Sequence, residues 1–159
     1  INPDIPLLLK YINKQLHADL PSGRFITAWL GQLDAGTKML DYFSAGQAPL
    51  LYLNARENKV NVLKADTYPL GITDSIDLTD INRIEMSPGD IFAVISDGIF
   101  EAANSTNELF GTDRVSNLLI RAQKETAMDI IDIIRNEVNA FTENAAPGDD
   151  QTIIIIKRV

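Results

Sequence analysis

Three acidic residues stand where apolar runs meet turns, and they are the side chains of this sequence best placed to do chemistry. Asp97 lies in Ser96-Asp97-Gly98, directly after the run Ile91–Ile95. Asp149 and Asp150 follow Gly148 and precede Gln151 and the isoleucines at 153–156. Alone, each segment reads as a turn beside a strand, because Asp tolerates turn conformations and Gly adopts positive φ without steric cost. The two runs, 91–95 and 151–156, change that reading. Both are short, continuous and apolar, the pattern of strands covered on both faces. If they are antiparallel neighbours, the exit of the first adjoins the start of the second, and Asp97 meets Asp149 and Asp150 on one rim of a sheet. Carboxylates gathered in this way must be protonated or neutralised by a cation. Oxygen donors without Cys or His favour Mg2+ or Mn2+, with Ca2+ an alternative. The competing reading makes all three solvated turn residues.

Composition narrows the remaining chemistry. The chain has 159 residues, 45% hydrophobic and 23% charged, which is enough for one core and one domain. It has no cysteine, which removes disulfides and thiolate chemistry and fits a cytoplasmic setting. The only histidine, His17, falls near the end of a predicted helix and reads as a surface residue. Without it no Ser-His pair exists, so hydrolysis by a nucleophilic triad is disfavoured. A net charge of −8 argues against a nucleic-acid surface and suits a cation site. No segment reads as a membrane span or signal peptide. The first residue is Ile1 rather than Met, which suggests a processed or trimmed product, or part of a longer chain.

The elements that must position the acids follow from periodicity. Ile5, Leu8, Leu9, Ile12, Leu16 and Leu20 predict an amphipathic helix capped by Asp4 and stopped at Pro21-Ser22-Gly23. Residues 24–63 read as a meander of four antiparallel strands, with hairpin-like connections at 34–37, 45–49 and 54–58. The segment 65–79 reads as a polar loop and 81–86 as a further strand. Thr112 or Asp113 is expected to cap a helix through about Gln123, and a second helix spans 126–141. Trp29, Tyr42, Phe43 and Tyr52 read as sheet or core aromatics.

Taken together, several short motifs resemble one family. F-I-T-A-W-L-G-Q-L-D (25–34), Y-F-S-A-G-Q-A-P-L-L (42–51), Y-P-L-G (68–71), P-G-D-I-F-A-V-I-S-D-G-I-F-E-A (88–102), E-L-F-G (108–111) and D-D-Q-T-I-I-I-I (149–156) occur in the order of the SpoIIE/RsbU-type branch of the PPM, or PP2C-like, serine/threonine phosphatases. The resemblance covers nearly the whole chain. It implies an α+β fold, an α-β-β-α sandwich of two antiparallel sheets flanked by helices. It also implies a pair of Mn2+ or Mg2+ ions and a phosphorylated protein substrate of the anti-sigma-factor antagonist type, in bacterial signalling, with a sensory or receiver domain upstream. By the same resemblance Asp97 matches the metal-ligand Asp of the family's T/S-D-G motif. Asp149 matches the ligand Asp of the D-D/N motif, with Asp150 beside it. Hydrolysis would then use metal-activated water and no protein nucleophile.

Two departures qualify this. Where the family has A-G-H-x-P, this chain has Ala45-Gly46-Gln47-Ala48-Pro49, read as a tolerated change. The family's N-terminal G-G-D and D-x-S-G-x-G motifs, which supply the bridging carboxylate, have no counterpart. Residues 1–159 are therefore expected to form a single partial domain, N-terminally truncated, with reduced or no activity alone. Exposed sheet edge is expected to invite homo-oligomerisation. The alternatives are a degenerate phosphatase-like domain serving as a protein-binding output module, and a calcium-stabilised structural domain.

Overall fold

A computed structural model of the chain describes residues 4–77, 80–143 and 145–159. Contacts divide it into two compact units. One runs up to Ala48 and takes in Lys64–Met86, and the other combines Pro49–Leu63 with Ser87–Val159. The class is α+β, with two antiparallel sheets and four helices among the described residues.

The first unit holds helix α1 (Ile5–Asp19) and the strands β1 (Ala28–Asp34), β2 (Met39–Ala45) and β5 (Asn82–Glu85), in the order β1-β2-β5. Asp4 caps α1 as expected, its Oδ1 accepting from the Leu7 amide at 3.0 Å. Ile5 and Leu9 are buried with Phe43, Ala45, Leu70 and Ile76, and Ile12 and Leu16 pack against this cluster. Leu8, expected in the stripe, is exposed. At about 100° per residue it lies roughly 90° from the centre of the buried arc. Asn13 takes a place on that arc instead, donating to the Thr73 carbonyl at 3.0 Å and accepting from the Gly71 amide at 2.9 Å. The β1–β2 hairpin turns where Asp34 Oδ1 accepts from the amides of Gly36 and Thr37. Leu78 and Thr79, at the end of the loop read at 65–79, lie outside the described residues.

The second unit holds β3 (Leu50–Asn54), β4 (Lys59–Leu63), β6 (Ile91–Ile95) and β7 (Ile153–Lys157), in the order β4-β3-β6-β7. The four-strand meander is therefore corrected: β2 and β3 belong to different sheets. The 45–49 corner does not fold back as a hairpin because Gly46, at φ +72°, lies against Pro69, where a Cβ would come within 2.5 Å of the ring. The Gly46 amide donates to the Thr67 carbonyl.

Every residue of β6 is buried, as a central strand between β3 and β7 requires. Leu51, Leu53, Ile91, Ala93 and Ile95 share a core with α3 (Gly111–Arg121) and α4 (Ala127–Phe141), which contribute Val115, Leu118, Leu119, Ile130, Ile134 and Val138. Burying each large side chain is worth about 1.5–3 kcal/mol. Helix α4 falls where the 126–141 periodicity places it and opens on a capping box between Thr126 and Asp129. Helix α3 opens differently from expectation. Phe110, not Thr112 or Asp113, precedes it without a side-chain cap, anchored by its amide on the Ala102 carbonyl and by an edge contact with Phe141. The burial of β7 on both faces is also corrected. Ile153 and Ile155 pack on the core cluster, whereas Ile154 is 43% exposed. Four consecutive isoleucines place two on each face, and β7 ends the strand order.

Asp90 anchors the start of β6. Its carboxylate is 1% exposed and accepts from the Tyr52 hydroxyl at 2.6 Å and from the amides of Ser87 and Ala55 at 2.7 and 2.8 Å. Burial, and then the hydrogen bond to Asp90, push the Tyr52 phenol above its usual range, so it remains a donor. Tyr52→Phe is expected to cost about 1–2 kcal/mol in urea unfolding, because Asp90 loses a donor it cannot replace from water. The raised phenol value makes that contribution fully present below about pH 10 and lost at higher pH. The gap between the two proteins is thus expected to be constant in the neutral range and to narrow above it. Equal unfolding midpoints at pH 7 would contradict this role.

Candidate metal centre

Asp97 is set in place from both sides. Behind it, β6 fixes the chain direction. Ahead, a single helical turn, α2 (Asp97–Phe100), buries Gly98, Ile99 and Phe100 while leaving Asp97 itself exposed. The Glu101 amide closes the turn on the Asp97 carbonyl at 2.8 Å. Apolar residues on one side of a turn thus hold a carboxylate at the rim.

The antiparallel pairing expected of the two apolar runs is observed. β6 and β7 run in register from Ile91↔Lys157 to Ile95↔Ile153. The ladder continues one step further, with the Ser96 amide donating to the Thr152 carbonyl at 3.0 Å. Counting on from this register brings Gly98 opposite Asp150, with Asp149 next to it. A Cβ on Gly98 would lie 2.4 Å from the Asp150 carbonyl oxygen and 3.3 Å from that of Asp149. Only a residue without a side chain permits so close an approach. Side chains reinforce it: Gln151 Nε2 donates to the Gly98 carbonyl at 3.3 Å, and Ser96 Oγ donates to the Asp150 carbonyl at 3.1 Å.

The backbones of the two acidic motifs therefore meet, all within the second unit. Asp97 Oδ1 accepts from the Gly98 amide at 2.9 Å and Asp149 Oδ1 from the Asp150 amide at 2.7 Å. Asp149 and Asp150 are exposed. None of the ion pairs among the described residues involves these acids. One expectation is reduced: no group of three or more acidic, His or Cys side chains among the described residues is arranged to hold a metal ion. The main chain brings the motifs together, whereas their carboxylates do not form a closed cluster. Hard oxygen donors, carboxylate and carbonyl, are nevertheless what Mg2+ or Mn2+ takes, so the donor chemistry fits such an ion.

His17 is exposed, with Nδ1 3.0 Å from the Gly71 carbonyl, a surface position as expected. Gln47 lies in the first unit, where its carbonyl accepts from the Ser44 hydroxyl. Residue type and spacing do not single out the side chains of Ser96 and Gln151, whose one signal in the sequence is adjacency to the two acidic motifs.

A family model described as Stage II sporulation protein E (SpoIIE) matches residues 2–159. The chain belongs to the SpoIIE family. Protein IcfG of Synechocystis sp. (strain ATCC 27184 / PCC 6803 / Kazusa) is 29% identical over 142 residues, 89% of this chain and 22% of that protein. The SiaA-PP2C domain of Pseudomonas aeruginosa superposes with a TM-score of 0.80 at 18% identity, covering 94% of this chain and 59% of that one. The phosphatase domain of the cell fate determinant SpoIIE from Bacillus subtilis, presoaked with Mn, gives 0.62 at 21% identity, covering 99% and 66%. The chain thus spans about a fifth of the curated relative and three fifths of the SiaA domain chain. Its fold is the PP2C-like α+β fold of SpoIIE- and RsbU-type domains.

The close approach at Gly98 gives a direct expectation. Gly98→Ala must displace the Asp150 carbonyl, which is main chain and cannot swing aside. A loss of about 1–3 kcal/mol is expected on chemical unfolding. Faster amide hydrogen exchange at Ser96 and Thr152 should accompany it. Unchanged stability and exchange would contradict the approach.

Proposed function

We propose that this SpoIIE-family domain is one side of a metal-dependent phosphoprotein phosphatase centre, with Asp97 and Asp149 as ligands to Mn2+ or Mg2+ and Asp150 as a neighbouring donor. The observation that carries the reading is the contact of Gly98 with the Asp150 carbonyl, which puts both acidic motifs on one rim. The substrate is a phosphorylated Ser or Thr on a protein of the anti-sigma-factor antagonist type, in bacterial signalling. Residues 1–159 form a single, partial domain whose remaining ligands come from an upstream G-G-D segment of a parent protein, together with a sensory or receiver domain. The setting is cytoplasmic. No described helix is long and apolar enough to cross a membrane.

The reaction is hydrolysis. Water oxygen bonds to phosphorus in line with the departing seryl or threonyl oxygen, whose bond to phosphorus breaks. That oxygen leaves as a hydroxyl after gaining a proton, and inorganic phosphate is the second product. Divalent cations held by Asp97 and Asp149 would supply acidification of the water and neutralisation of phosphate charge. The chain's own part is to hold the carboxylates rigidly: Asp97 by the buried turn α2, Asp149 by its bond to the Asp150 amide and the β6–β7 register. Neither acts as a nucleophile.

A second reading, a degenerate domain that binds protein without hydrolysis, draws support from the lack of a closed acidic cluster among the described residues. Rates separate the two. In the parent protein, Asp97→Asn and Asp149→Asn are each expected to lower Mn2+-dependent phosphate release from a phosphoserine protein by about a hundredfold or more. Rates equal to the unaltered protein would remove these residues from the mechanism. Thermal stabilisation by Ca2+ without any phosphate release would favour a structural cation site instead.

A further inference from the structure

Ser96 sits at the N-cap of α2 with extended backbone angles, φ −74° and ψ 159°. A serine there ordinarily caps the helix by accepting from an amide of its first turn. This one makes no side-chain capping bond. Its Oγ instead reaches the start of β7, accepting from the Thr152 amide at 2.8 Å and donating to the Asp150 carbonyl at 3.1 Å. That carbonyl is the group packed against Gly98. A single hydroxyl, able to donate and accept at once, thus tethers the main chain on both sides of Gln151, while Gln151 Nε2 returns to the Gly98 carbonyl. The four-residue helix forgoes its cap, and the gain is a fixed distance between two loops.

We infer that Ser96 is a positioning residue, which acts through the Asp150 carbonyl and the Thr152 amide to hold the Asp149–Asp150 segment against the turn that carries Asp97. The inference rests on the reading of Asp97 and Asp149 as cation ligands, and goes beyond it by assigning the spacing of those ligands to one hydroxyl. Ser96 touches neither ion nor substrate in this role. It acts as an outer-shell group does around a metal, and loss of such a group weakens ion affinity while leaving the fold in place.

The test reads Mn2+ binding rather than turnover, by the electron paramagnetic resonance signal of free Mn2+ titrated into the parent protein. Ser96→Ala is expected to weaken binding about tenfold or more, with the metal-free melting temperature little changed. Ser96→Gly suits an N-cap but lacks the hydroxyl, and should behave the same way. Ser96→Thr restores the hydroxyl and should restore affinity. Unaltered affinity in the Ala and Gly variants, where Asp97→Asn abolishes binding, would overturn the role of Ser96 and leave the cation site standing. Equal weakening by Thr and Ala would overturn it as well. Unaltered affinity in Asp97→Asn would overturn the cation reading and this inference with it.

Discussion

The arrangement of the second unit turns on the close approach of Gly98 to the carbonyls of Asp149 and Asp150, because it joins the end of the most buried strand to the start of the last one. Two constraints produce it. β6 is buried along its whole length, so its register with β7 is not free to slip. A shift by one residue would move Ile153 and Ile155 off the α3–α4 core and carry the acidic motif about 3.3 Å along the strand. The second constraint is steric: a side chain at position 98 would occupy the space of a main-chain carbonyl. Hydrophobic burial fixes where the strands lie, and the missing Cβ fixes how near their ends come.

Polar groups hold β6 at both ends, in different ways. At its start, the carboxylate of Asp90 is enclosed and accepts from Tyr52, Ala55 and Ser87, tying β6 to the end of β3. At its finish, the hydroxyl of Ser96 bridges to β7. A strand pinned in this manner presents the residue that follows it, Asp97, with little freedom in the main chain. A scaffold of this kind would suit the divalent-ion site proposed for Asp97 and Asp149, since groups around a metal site orient its ligands.

Much of this was legible in the sequence because it depends on local signals. The β6 run, the cap at Asp4 and the helix over 126–141 each follow from residue type and spacing, whereas the antiparallel pairing of β6 with β7 is only a supposition at that level and is supplied by the observed ladder. What escaped depends on distant partners. The 45–49 corner has the composition of a hairpin, but Gly46 packs on Pro69 and the strands on either side join different sheets. Leu8 fits a three-four spacing yet falls off the arc that Asn13 completes through Gly71 and Thr73. The four isoleucines at 153–156 cannot reveal which face is covered, and Ser96-Asp97-Gly98 reads as a turn with nothing to show that Thr152 claims the Ser96 hydroxyl. Family membership rests on matching residues 2–159 as a whole, whereas the ligand roles of Asp97 and Asp149 are a proposal that rests on the motif resemblance and on the meeting of the two strand ends.

The central claim is that Asp97 and Asp149 hold a common divalent cation. Anomalous diffraction from Mn2+-soaked crystals of the protein tests it most directly, because the ion itself is located. The account predicts a manganese peak on the rim where β6 ends and β7 begins, within bonding distance of carboxylate oxygens from both Asp97 and Asp149. A fully occupied manganese site elsewhere, with neither carboxylate among its ligands, would contradict it.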